Sequence, residues 1–152
     1  MAQNARTFIG AIKGSAESAK KQALIKQREL VDLRSVHAKL GEYAFDHGIG
    51  REQLPAQFQE IASFDAEIES KRNHTPLSAT ATIIDRARHG ANIVKDRVVI
   101  EAILLRRKNV AIDLGRSLCA YEVDDQTITD LQKDAQRIEE EITALKAPVA
   151  GQ

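Results

Sequence analysis

The residues of this 152-residue chain best suited to chemistry are four histidines, one cysteine and a few closely spaced carboxylates. A carboxylate-bridged metal centre in a helical protein needs a Glu three residues before a His, so that both reach one ion from adjacent turns. None of His37, His47, His74 and His89 has that neighbour. Asp85 and His89 stand four apart and would share a helix face, which reads as a surface pair before half a metal site. Glu139-Glu140-Glu141 reads as a solvated face. Cys119 is the only cysteine, so it has no disulfide partner within the chain and a multi-cysteine zinc ribbon is excluded. It reads as a small buried hydrophobe, with a reactive thiol as the other reading. Arg106-Arg107-Lys108 reads as a solvated basic cluster before a phosphate contact. No P-loop, Gly-x-Ser-x-Gly or His-Glu-x-x-His pattern occurs. The expectation is a chain with no catalytic residues, no metal and no cofactor, and not an enzyme.

What organises the sequence is a weak internal repeat. Residues 9–72 align without gaps on residues 83–146. Leu40-Gly41 falls on Leu114-Gly115, and Glu67-Ile68 on Glu141-Ile142. Lys21 falls on Lys95, Leu30 on Leu104, and the apolar pairs Leu24/Val98 and Val31/Leu105 keep their slots. Low aromatic content, few Gly and Pro, and apolar residues at steps of three, four or seven predict helices throughout. The first runs from about 7 to 47 and ends at His47-Gly48-Ile49-Gly50, where Gly48 is suited to a left-handed cap. The second, about 51 to 72, carries Pro55 near its start, where the ring costs least. Residues 73–79 form a linker. The third runs from a cap at Ser78 or Thr80 to about Tyr121, and the fourth from about 125, capped by an Asp, to 146. Residues 147–152 read as a flexible tail. The predicted fold is all-α: one domain, 1–152, made of two long-short antiparallel hairpins (about 7–72 and 80–146), tandemly duplicated into an elongated, coiled-coil-like four-helix bundle.

The arms are unequal, so the outer half of each long helix has no partner within its own hairpin. Small residues gather there, and Gly10, Gly14, Ala16, Ala19, Ala23, Ala87 and Ala91 are the candidate packing surface. They read as packing on each other or on a second copy, against the plain alternative of exposed Ala-rich helix. Gly10-x-x-x-Gly14 has the spacing of membrane helix dimers, but Lys13 and the lack of an apolar 20-mer make it a soluble packing feature.

The chain is electrically neutral, with 22 basic and 22 acidic residues, which gives no sign of a nucleic-acid partner. The charge is nonetheless segregated. Basic against acidic residues number 8 to 5 over 1–50 and 8 to 4 over 76–121, but 3 to 5 over 51–75 and 3 to 8 over 122–152. Basic long helices and acidic return helices complement one another along an antiparallel seam. The basic first helix has a second reading. Phe8, Ile9 and Ile12 would dip into a lipid headgroup layer while Lys13, Lys20, Lys21, Lys26 and Arg28 hold anionic lipids. No run of about 18 apolar residues predicts a membrane span, and Phe8–Ile12 is too short for a signal peptide core. The expected location is the cytoplasm, or the cytoplasmic face of the membrane.

Lys20-Lys21 in an Ala-rich first helix, Leu40-Gly41 followed by Tyr43, and Glu67-Ile68-Glu69 in the return helix resemble a group of small bacterial helical-hairpin proteins of unknown function. Some of that group carry a zinc ribbon, which this chain lacks. The resemblance implies the hairpin shape and a bacterial origin, and no activity. The leading expectation is a structural or protein-interaction protein, a scaffold or adaptor, self-associating through its long helices. Peripheral binding to anionic membranes through residues 7–28 is the alternative.

Overall fold

The computed structural model describes residues 2–148, with side chains from Gly14 onward. It is all-helical, and no strand occurs among the described residues. Helix α1 (Ala2–Gln27) passes directly into a π-helical segment (Arg28–Leu33) and then α2 (Arg34–His47). Then come α3 (Pro55–Arg72), α4 (Ile83–Leu118) and α5 (Gln126–Lys146). Contacts divide the chain into two compact units, residues 1–36 with 125–152, and residues 37–124.

The ends of the helices follow local chemistry. Gly48 takes φ 67° and Gly50 φ 81°, and the Ile49 amide donates to the Ala44 carbonyl at 2.8 Å. A left-handed residue there closes the C-terminal carbonyls of α2, and glycine does so without a Cβ clash. Pro55 occupies the first turn of α3. The helix therefore starts four residues later than the pattern predicts, because Gly48–Gln53 is spent on the turn. The cap of α4 is Thr82, not Ser78 or Thr80. The Asp85 amide donates to Thr82 Oγ1 at 3.1 Å and the Thr82 amide to Asp85 Oδ2 at 3.0 Å, a reciprocal capping box. Ser78 and Thr80 instead share a hydroxyl hydrogen bond in the preceding turn. Asp125 caps α5 as expected, accepting from the Ile128 amide at 2.9 Å.

In the unit of residues 37–124, α3 packs on α4, and Phe58, Ile61 and Ile68 on one and Ile103, Ala111, Ile112, Leu114 and Leu118 on the other are buried. Each of the Leu, Ile and Phe side chains among them contributes about 1.5–3 kcal/mol of hydrophobic stabilisation. Phe45 of α2 also meets Phe58, with ring centroids 5.6 Å apart. In the other unit, α5 packs on the π segment and on α1, with Ile128, Ala135, Ile138 and Ile142 buried on its inner face. A shift of 74 residues carries α3 onto α5 and most of α4 onto α1, the π segment and α2, so the two sets of contacts correspond. Each short return helix packs on the long helix of the other half of the chain, a pairing that a self-contained hairpin does not need.

Two sequence readings are corrected. Cys119 is exposed, not buried. It follows the last residue of α4, one position past fully buried Leu118, and its thiol donates to the Gly115 carbonyl at 3.5 Å. Leu30, one of the apolar positions of the first predicted helix, is 63 % exposed and lies in the π segment. No Gly or Pro marks that segment, so the pattern offers no warning of it.

Candidate functional site

Helices α2 and α4 come into close backbone contact at Gly41 and Gly115. A Cβ on Gly41 would lie 1.8 Å from the Ala111 carbonyl oxygen, and one on Gly115 would lie 1.9 Å from the His37 carbonyl oxygen. His37 and Ala111 are themselves counterparts in the repeat, so the two contacts are mirror versions of one another. The dipeptide Leu-Gly recurs because backbone must touch backbone at this point. His37 is buried there.

N-terminal to that crossing, α4 emerges from cover. Between Ile83 and Val98 no side chain is buried. Ile84, Ala91, Val98 and Leu105 follow one another at seven-residue intervals, a spacing that keeps them on one slowly drifting helix face. All four are exposed, Ile84 at 69 %, Val98 at 64 % and Leu105 at 61 %. The next residue in the series, Ile112, is buried. The first long helix behaves alike: Leu24, Leu30 and Val31 are exposed, and Ala38, seven residues after Val31, is half-buried. The apolar residues spaced 74 apart at 24/98, 30/104 and 31/105 are thus all left to solvent.

The small residues of the candidate packing surface lie on these same outer stretches. Gly14, Ala16, Ala19, Ala23, Ala87 and Ala91 are exposed, and nothing approaches within 4 Å of a Cβ built at Gly14 or Gly90. Gly10 lies outside the described side chains, as do Phe8, Ile9, Ile12 and Lys13 of the membrane surface. Of the remaining basic residues, Arg28 bonds Asp32 at 2.9 Å and Glu141 of α5 at 3.2 Å, and Lys21 donates to the Ala147 carbonyl at 3.3 Å. Lys146 of α5 in turn pairs with Glu29. Lys20 and Lys26 are exposed. The basic first helix is therefore partly neutralised by the acidic return helix laid on it.

The polar residues with chemical potential are engaged structurally. The Asp85 carboxylate serves Thr82, which holds its pKa below the ordinary carboxylate value. His89 packs edge-on to His74, centroids 6.0 Å apart, and His74 Nδ1 lies 3.8 Å from Asp96. Among the described residues no three His, Cys, Asp or Glu side chains are grouped to hold a metal ion. Arg107, expected on a solvated face, has a side chain only 16 % exposed. Its Nη1 reaches both Glu42 oxygens at 2.7 and 2.8 Å, and its Nε and Nη2 reach Asp65. Its guanidinium also lies over the Phe45 ring, 5.6 Å from the centroid. The bonds to Asp65, then to Glu42, raise its pKa further above the ordinary guanidinium value, against the opposing effect of burial. Arg107 ties α2, α3 and α4 together with donors that a phosphate would otherwise use.

The chain matches no family model, no curated protein and no solved structure.

Proposed function

We propose that this chain is a non-enzymatic structural or interaction protein, built as a duplicated long-short helical hairpin, which associates with copies of itself through the outer parts of its long helices. The observation that carries the reading is the exposed series Ile84, Ala91, Val98 and Leu105 on α4. Contiguous exposed apolar surface is costly in a monomer and typical of an interaction site, and a seven-residue apolar interval is the seam of helix-to-helix association. The mirror-related contacts of Gly41 and Gly115, and the counterpart packing of α3 and α5, support the duplication.

Sedimentation velocity over a wide concentration range tests it. Association that rises with concentration and weakens in Ile84→Asp/Val98→Asp supports the reading. A monomer at every concentration overturns it.

A second reading, peripheral attachment to anionic membranes through residues 7–28, keeps the support of exposed Leu24 beside exposed Lys20 and Lys26. Among the described residues no helix is long and apolar enough to cross a membrane.

A further inference from the structure

We infer that a hollow between the end of α3 and α4 binds a phosphate monoester carrying an apolar body. The hollow measures about 370 Å³, within the range of small-ligand pockets. Every residue lining it belongs to the unit of residues 37–124. Lys71 and Arg72, from the last turn of α3, and Arg97 of α4 bring three cations to it, against the single carboxylate of Glu101. A guanidinium offers paired donors to phosphate oxygens, and an ammonium adds a compact charge. Ile93, 39 % exposed, and half-buried Ile100 supply an apolar wall. Cations beside an apolar wall favour an anion with an apolar body over a bare ion.

These cations are not matched within the chain. Arg107, in the same unit, is met by Glu42 and Asp65, and Arg116 by Asp113. Lys71 and Arg72 form no ion pair among the described residues. Arg97 lies 3.9 Å from Glu101 with both side chains mostly exposed, a weak pair that a doubly charged ligand can displace. His74, at the rim, lies beside Asp96. A shift of 74 residues gives the contrast. Arg72 falls on Lys146, which pairs with Glu29, but the position of Glu29 is taken by buried Ile103. The cation that ends the return helix is thus neutralised by a long-helix carboxylate at one place and left without one at the other. The carbonyl end of α3 offsets about half a charge. With Glu101 this still leaves an excess of roughly one and a half positive charges, which a phosphate monoester at about −1.5 to −2 matches better than a single carboxylate does.

NMR titration of the full chain with phenyl phosphate tests the site, with benzyl alcohol as the uncharged body and inorganic phosphate as the bare anion. Phenyl phosphate is expected to shift the amides of residues 71–74 and 93–101 saturably. Inorganic phosphate is expected to do so more weakly, and benzyl alcohol not at all. Arg72→Gln/Arg97→Gln, its fold verified by circular dichroism, is expected to weaken binding by roughly tenfold. Arg88→Gln changes a cation of α4 that does not line the hollow, and is expected to leave binding unaltered. Phosphatidylcholine vesicles with and without phosphatidic acid separate a soluble phosphate from a lipid headgroup. No pelleting is expected, which assigns the ligand to solution. Pelleting with phosphatidic acid that Arg72→Gln/Arg97→Gln abolishes would keep the site and assign its phosphate to lipid. The absence of a saturable shift with phenyl phosphate, or binding that survives Arg72→Gln/Arg97→Gln, overturns the inference. An equal loss in Arg88→Gln does so too, since overall charge would then be the cause.

Discussion

Gly41 and Gly115 each occupy the space the other's helix would need for a single additional carbon: a Cβ on either falls within 2 Å of a backbone carbonyl oxygen across the contact, 1.8 Å from Ala111 for Gly41 and 1.9 Å from His37 for Gly115. The obstructing atoms are backbone, so rotamer changes do not relieve the clash. Gly41→Ala and Gly115→Ala are each expected to destabilise the protein by at least the ~1–3 kcal/mol of core overpacking. Because the contacts are mirror-related, the two losses are expected to be similar. Urea unfolding of each variant measures them, and a neutral result at either position removes the contact from the account.

Gly14 and Gly90 provide the opposite test. Both sit inside helices with open space around them, so alanine there is expected to stabilise the chain by about 0.5–1 kcal/mol through backbone entropy alone. Stabilisation without loss of association would show that a close helix approach at these glycines is not what joins copies. Loss of association in Gly14→Ala would place the small residues inside the interface.

Arg107→Met keeps the length of the side chain and removes the charge. It leaves Glu42 and Asp65 facing each other without their shared cation. The expected loss is about 1–3 kcal/mol, in the range for hydrogen bonds to charged groups, discounted because both carboxylates are some 40 % exposed. Arg107→Lys is expected to recover only part of it, since an ammonium lacks the planar fork that meets two carboxylates at once. The raised guanidinium pKa means its stabilisation is fully present below the ordinary arginine value and is lost only as pH rises through the folded value. Ordinary buffers never reach that window.

Acid acts elsewhere. The Asp85 pKa is lowered by its bonds to Thr82, so its contribution is present above the ordinary aspartate value and is lost as pH falls through the lower, folded one. The protection of first-turn amides of α4, taken relative to their intrinsic exchange rate, is expected to fall in that window, and to be low at neutral pH in Thr82→Ala. An unchanged first turn in Thr82→Ala would show that the capping box does not hold it.

Vesicles separate the two functional readings. Because Arg28 and Lys21 are taken up by contacts to α5 and its end, little co-sedimentation is expected with either neutral or anionic vesicles. Salt-sensitive pelleting with anionic vesicles, abolished by Lys20→Glu/Lys26→Glu, would establish the membrane reading instead.

Much of this architecture was legible in residue order. The periodicity located the four helical stretches, Gly48 and Pro55 marked the first bend, and Asp125 its counterpart, because each has a local steric or capping reason to be there. Leu40-Gly41 and Leu114-Gly115 marked the place that mattered most, but sequence could not say that the glycines touch each other's helices. The π segment left no trace, since Arg28–Leu33 contains neither Gly nor Pro. Arg107 was hidden among Arg106 and Lys108, because only the fold decides which of three adjacent cations turns inward. The uncovered state of Leu24, Leu30 and Val31 was equally invisible: apolar periodicity reports a face that seeks cover, not whether the same chain supplies it.

The pairing of α5 with the first long helix also orders events during synthesis. Residues 37–124 are contiguous and can close as soon as they leave the ribosome. The other unit is made from both ends of the chain, and its Lys146–Glu29 pair joins residues 117 apart. Its contacts wait until residues 126–146 have been made, so α1 and the π segment are without α5 while the intervening chain is translated, with Leu24, Leu30 and Val31 borne by a nascent chain.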